Sequence, residues 1–134
     1  ERNADGTPSV THPAWSPHLI QGWTPDFIAD VLQEALDKDY ADVLVPADDQ
    51  SSIQWSRRLA REEGIFTGIS GGASFAAAIE TANTAPAGST ILAMLPDTGE
   101  RYLSSMLFDG IDDWMSDEEK AIAQSTPSGQ FPAD

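Results

Sequence analysis

Two short apolar runs, Val43-Leu44-Val45 and the stretch from Ile91 to Leu95, are the clear buried-strand candidates in this sequence, and helical signals lie between them. Strands that alternate with helices point to a parallel sheet covered on both faces. Two parallel strands make a poor sheet by themselves, because most of their hydrogen-bonding edge has no partner. The chain is therefore expected to be part of an α/β domain that is completed by other strands, although its 134 residues match the length of one ordinary domain.

The helices are marked by spacing and caps. Thr24 followed by Pro25, with Phe27, Ile28, Val31, Leu32 and Ala35 on one stripe, predicts a helix over 25–36. Asp48 and Asp49 cap a second predicted helix through Ile53, Ser56, Leu59 and Ala60, and Gly64 before Ile65 is a left-handed stop. A third is expected from Ala73 to Thr81, with Ala73, Ala76, Ala77 and Ala78 as a small packing face, and a fourth over 116–123. Four prolines between residues 6 and 25 forbid a long helix there. Three regions follow: a loop-rich 1–23, an α/β core over 24–108, and an acidic helix and tail over 109–134.

Charge narrows the function. Asp and Glu number 22 against seven Lys and Arg, a net charge of −15, and the sole basic cluster, Arg57, Arg58 and Arg61, lies beside Glu62 and Glu63. A nucleic-acid or anionic-membrane partner is disfavoured, because phosphate surfaces demand clustered cations. The acids gather at 26–49 and 109–119, as a solubilising surface. With no Cys there is neither disulfide nor thiolate metal site, and no apolar run approaches the roughly 18 residues that a membrane span needs.

The strongest chemical signal is Gly68-Ile69-Ser70-Gly71-Gly72, a glycine-rich turn between a short apolar segment and a helix. Three readings compete. As Gly-x-Ser-x-Gly it fits a nucleophile elbow, but that chemistry needs a His after the Ser, and His12 and His18 both precede it. As plain structure, the glycines permit a tight turn and close helix packing. As a binding turn, it aims backbone amides and the Ser70 hydroxyl at a ligand or a ring nitrogen. Local sequence leaves the last two open.

Three blocks taken together decide more. His18-Leu19-Ile20-Gln21-Gly22 followed by Phe27-Ile28, the turn from Gly68 to Ala73, and Leu95-Pro96-Asp97-Thr98-Gly99-Glu100-Arg101-Tyr102-Leu103-Ser104 occur in the order and at about the spacing found in cysteine synthases. From His18 to Phe108 the chain resembles that pyridoxal-phosphate group, relatives of cystathionine beta-synthase. The resemblance implies the C-terminal domain of the fold type II, tryptophan-synthase-beta-like architecture, two α/β domains with pyridoxal 5'-phosphate between them. It implies that Ser70 hydrogen-bonds the pyridine nitrogen of the cofactor, with Pro96 and Asp97 in support at the same ring edge. A neutral hydroxyl there leaves the ring a moderate electron sink, suited to elimination at a β-carbon. Gln21, Gly22 and Trp23 match the substrate-side loop, although Trp23-Thr24-Pro25-Asp26 is stiffer than the glycine-rich sequence usual there. Arg101 and Tyr102 are read as structural, Arg101 as partner to Glu100 or Asp97.

The implied reaction is replacement of acetate in O-acetylserine by sulfide to give L-cysteine. The catalytic Schiff-base Lys and the phosphate cup are absent from this chain: Lys38 lies between Asp37 and Asp39 and Lys120 beside Glu119, where carboxylates raise a lysine's pKa. No metal is expected. Those missing parts are expected in an N-terminal part of the same enzyme, and Glu1-Arg2-Asn3 resembles the end of the helix after the cup. The resemblance further implies a cytoplasmic or organellar homodimer that binds serine acetyltransferase. A different class of reading is a truncated, non-catalytic relative that binds a partner through the surface the other domain would cover.

Overall fold

The computed structural model describes residue 4, residues 15–20 and residues 22–125. Four helices run in order, α1 (Asp30–Asp37), α2 (Asp49–Glu63), α3 (Ile69–Thr84) and α4 (Asp117–Gln124), with short 3-10 turns at Gly99–Tyr102 and Met106–Phe108 between the last two.

The helix α2 follows its sequence signals closely. Asp48 accepts from Ser51 N at the start, and Gly64 closes the end at φ 68, so that the next N–H, that of Ile65, reaches back to Leu59 O. Its partner α3 starts four residues earlier than the alanine stripe suggests. The glycine-rich turn is itself the first turn of the helix, with Gly68 extended at the N-cap position and Gly72 N donating to Gly68 O. The first turn is buried throughout, from Ile69 to Ala73, with Ser70 the polar residue in the run.

These two helices form the best-packed pair in the chain. Ser52 and Ser56 of α2 are buried against α3, and a Cβ on Gly72 would collide with the α2 backbone at Ser52 and Ser56. Trp55 of α2 meets Phe75 of α3 edge to face at 5.3 Å between ring centroids, and the Arg58 guanidinium lies over the Trp55 ring at 4.2 Å. The rest of the core is small: Ile20, Ile69, Ala73 and Leu107 are buried together, with Leu19, Ala47, Ile53, Tyr102 and Phe108 packed around them.

Arg57 ties the Met106–Phe108 turn to α2. Its guanidinium donates to Leu107 O (2.7 Å), Met106 O (2.8 Å) and Asp109 O (3.0 Å). With Arg58 bonded to Glu62 through two nitrogens, two of the three arginines of the basic cluster are engaged within the fold.

One expectation is not confirmed and another is corrected. First, the parallel sheet is not formed among the described residues; the one ladder contact is an isolated antiparallel bridge between Thr67 and Thr98. The runs at 42–46 and 91–95 lie open, with Leu44 77% and Leu92 92% exposed. A strand is stable only through its neighbours, and among the described residues these runs have no third or fourth strand to pair with. Second, α1 starts at Asp30, five residues after Pro25, from Ala29, an N-cap with no side-chain bond. A helix capped at Thr24 would need the Thr24 carbonyl for its first internal bond. That oxygen instead accepts from Trp15 Nε1 at 3.0 Å and lies 3.2 Å from His18 Nε2, while Thr24 sits at φ 37, outside the extended region a cap adopts.

The fourth helix appears as expected. Ser116 and Glu119 form a reciprocal capping box, each side chain accepting from the other's backbone N–H. The expected loop over 5–14 and the tail beyond 125 lie outside the described residues.

Candidate functional site

Ser70 lies in the first turn of α3, within a buried stretch from Thr67 to Ala73. Its hydroxyl donates to Asp97 Oδ1 at 3.1 Å, and the Tyr102 hydroxyl donates to the other oxygen, Asp97 Oδ2, at 2.6 Å. The carboxylate is thus held between a serine on one side and a phenol on the other. It also stands at the amide end of α3, where a negative charge is favoured by the helix dipole.

The main chain around Asp97 is fixed as well. Thr67 Oγ1 donates to Asp97 O at 3.1 Å, Gly99 N donates to Phe66 O at 3.2 Å, and the Thr67 carbonyl accepts from Ser56 Oγ at 2.7 Å. The chain turns through Gly99–Tyr102 so that Tyr102, five residues on, folds back over Asp97. Gly68 makes the approach possible, since a Cβ there would run into the Tyr102 ring and the Asp97 carboxylate. Burial first, and then the bond to Asp97, pushes the Tyr102 phenol above the ordinary tyrosine value, so the phenol stays a donor.

The three sequence blocks converge here. Ile20 from the first block packs with Ile69, the residue before Ser70, and Tyr102 from the third joins the same cluster. Leu19 N donates to Asp49 Oδ1 at 2.9 Å, which ties the 18–24 loop to the start of α2. Gly22 turns that loop at φ 81, and Trp23 N donates to Ile20 O at 3.2 Å. The Trp23 ring is half-exposed, and neither Gly22 nor Trp23 hydrogen-bonds to the Ser70 network. Gln21 lies outside the described residues. Pro96 is exposed and holds the backbone φ just before Asp97.

Two assignments change. Tyr102 belongs to the network rather than to the scaffold alone. The signal was present, since Tyr102 sits within the Pro96-to-Ser104 block, but a five-residue spacing discloses a contact only once the 3-10 turn is known. Arg101 makes no ion pair with Glu100 or Asp97; the Glu100 carboxyl is held below its ordinary value by the Thr98 hydroxyl. Both lysines lie in exposed ion pairs on other helices, Lys38 with Glu34 at 2.6 Å and Lys120 with Asp117 at 3.3 Å.

This donor set suits one part of pyridoxal phosphate. Serine, carboxylate and phenol can meet a ring nitrogen, whereas both lysines are ion-paired elsewhere and, among the described residues, no cationic side chain hydrogen-bonds into the Ser70 network. The residues present fit the nitrogen edge of the cofactor ring and no more of it.

Comparison with known proteins gives the class. A sequence profile described as "Pyridoxal-phosphate dependent enzyme" matches residues 2–97, and the chain belongs to that family. Its relatives narrow the group. The chain is 52% identical over 115 residues to the O-ureido-L-serine synthase of Streptomyces lavendulae, covering 86% of this chain and 34% of that protein. It is 40% identical over 113 residues to a probable cysteine synthase of Bacillus subtilis, covering 78% and 35%. Among solved structures, O-ureido-L-serine synthase superposes with a TM-score of 0.69 at 53% identity, over 80% of this chain and 33% of that one. The O-acetyl serine sulfhydrylase isoform 3 of Entamoeba histolytica gives 0.65 at 31% identity, over 81% and 31%. The chain is therefore cysteine-synthase-like, with the fold of those enzymes, and it spans about a third of the length of the relatives it matches.

Proposed function

We propose that this chain forms one wall of the cofactor site in an enzyme that replaces the β-substituent of an O-activated serine. The observation that carries the reading is the buried Ser70 at the head of α3, bonded to Asp97, in a chain whose family is pyridoxal-phosphate dependent. When bound, pyridoxal phosphate supplies an electron sink that allows a group to leave the β-carbon of an amino acid. Ser70 meets the ring nitrogen of that group, and Asp97 and Pro96 border the same edge. Gln21, Gly22 and Trp23 belong to the substrate side. The Schiff-base lysine and the phosphate cup come from an N-terminal part of the same enzyme, whose packing covers the open runs at 42–46 and 91–95.

The first substrate pair is O-acetylserine and sulfide: the β-carbon loses its bond to acetate, gains a bond to sulfur, and the product is L-cysteine. A second pair is favoured by the 52% identity to an O-ureido-L-serine synthase. There the incoming atom is the hydroxyl oxygen of an N-hydroxyurea, and the product is O-ureido-L-serine. A cytoplasmic homodimer that engages serine acetyltransferase accompanies the sulfide reading.

Mass spectrometry of the products separates the pairs. The full-length protein is supplied with pyridoxal phosphate, O-acetylserine, and either sulfide or hydroxyurea. Faster formation of cysteine supports the first pair, and faster formation of O-ureido-L-serine the second. A colourless protein that ignores added pyridoxal phosphate refutes the enzyme reading and leaves a non-catalytic binding protein.

A further inference from the structure

The Ser70 network contains more residues than are needed to place one hydroxyl at a ring nitrogen. We propose that Asp97 and Tyr102 are positioning residues for Ser70: the phenol holds the carboxylate, and the carboxylate holds the serine in one rotamer. The inference rests on the reading of Ser70 as the residue that meets the cofactor ring.

A serine hydroxyl has three staggered side-chain rotamers, and an unheld one is spread among them. Here one rotamer is selected by the 3.1 Å bond to Asp97 Oδ1. That bond is useful only if the carboxylate is fixed, and it is fixed twice, by the Tyr102 hydroxyl at 2.6 Å on Oδ2 and by Thr67 Oγ1 at 3.1 Å on the Asp97 carbonyl. Arg101, the adjacent cation, does not pair with the carboxylate, so both oxygens remain committed to the serine and the phenol. Gly68 lacks the Cβ that would push either partner away from α3. With its one proton on Asp97, the Ser70 oxygen presents its lone pairs to a ring N–H, and an acceptor preorganised in this way needs no further ordering when its ligand arrives.

The test is a double-mutant cycle read as pyridoxal-phosphate affinity, in the full-length protein, by absorbance titration. The single variants are Ser70→Ala, Asp97→Asn and Tyr102→Phe; the doubles combine Ser70→Ala with each of the other two. Hydrogen bonds to charged groups set the scale, and each single change at Asp97 or Tyr102 is expected to weaken binding about tenfold. In the Ser70→Ala background the same changes are expected to do almost nothing, because a positioning residue has nothing left to position.

The inference is overturned if Asp97→Asn and Tyr102→Phe bind as the unsubstituted protein does while Ser70→Ala binds weakly. It is equally overturned if their effects persist undiminished without Ser70, which marks a purely structural role. A Ser70→Ala protein that binds normally refutes the Ser70 assignment, and the absence of binding by the unsubstituted protein refutes the cofactor reading; the inference falls with either. If Asp97→Asn fails to fold, judged by thermal unfolding without cofactor, Tyr102→Phe decides alone, since it removes a single oxygen.

Discussion

Gly72→Ala sets two rules of protein chemistry against each other. Helix propensity predicts a gain of about 1 kcal/mol when alanine replaces glycine inside a helix, and Gly72 is a helical residue of α3. Packing predicts a loss. A Cβ at Gly72 would overlap Ser52 O and lie 2.8 Å from Ser56 N and 3.0 Å from Ser52 C, where ordinary contacts fall at 3.4–4 Å. All three are backbone atoms of α2, so no change of rotamer relieves them. The overlap with Ser52 O sets the requirement, and the helices would have to part by more than about 1 Å at the crossing. Overpacking of this kind costs about 1–3 kcal/mol, and separation weakens the 2.7 Å bond from Ser56 Oγ to Thr67 O, worth about 1 kcal/mol. After the propensity gain is subtracted, the net loss is about 2 kcal/mol, roughly a thirtyfold fall in the folded-to-unfolded ratio. Urea unfolding of the cofactor-free, full-length protein measures it. Gly64→Ala is the control, since Gly64 sits at φ 68 with no atom within 4 Å of its Cβ position, and its cost of about 1–2 kcal/mol is left-handed strain without any clash. A Gly72→Ala protein with an unchanged or higher midpoint would show that the α2–α3 contact is looser than described and refute the reasoning.

Three further outcomes are expected. Arg57→Lys keeps the charge but cannot span three carbonyls, so amide hydrogen exchange over 106–110 should quicken, for a loss of about 1–2 kcal/mol; unchanged exchange would mean that Arg57 does not hold that turn. The Glu119 carboxyl is held below its ordinary 4.5 by the Ser116 backbone N–H and hydroxyl. Its contribution to α4 is thus present above pH 4.5 and lost as pH falls through the depressed value, and carboxyl NMR should show a titration that Ser116→Ala moves upward; a midpoint at or above 4.5 counts against the capping box. Ser70→Ala should lower cofactor affinity or turnover about tenfold or more, and normal values for both leave only a packing role for the turn.

Local devices were legible in the sequence and remote ones were not. The Asp48 cap and the Ser116–Glu119 box join residues three positions apart, the Gly64 stop rests on that glycine's own left-handed φ, and each is found where the sequence places it. The start of α1 depends on Trp15 and His18 reaching the Thr24 carbonyl from six to nine residues away, and no helical periodicity encodes that. Likewise the strand runs at 42–46 and 91–95 have strand composition, but pairing is a property of neighbours, and no described segment pairs with them.

The site shows the same division, and it resolves a choice that the sequence alone left open. Packing and binding are not rival readings of the glycine-rich turn, because successive residues in one helical turn face different ways. Gly71 and Gly72 face Thr67 and α2, where a Cβ would collide with the protein itself, while Gly68 and Ser70 face Asp97 and Tyr102. The same close packing that requires the glycines also fixes the helix end from which Ser70 projects. It follows that the serine's geometry is set by contacts among α2, the start of α3 with Thr67 just before it, and Asp97 with the Gly99–Tyr102 turn that follows it. The exposed runs, where an N-terminal part would add its strands, lie outside that set of contacts. Strands that came to pair with those runs would therefore not have to build the Ser70 network, which this chain's own residues already hold in place.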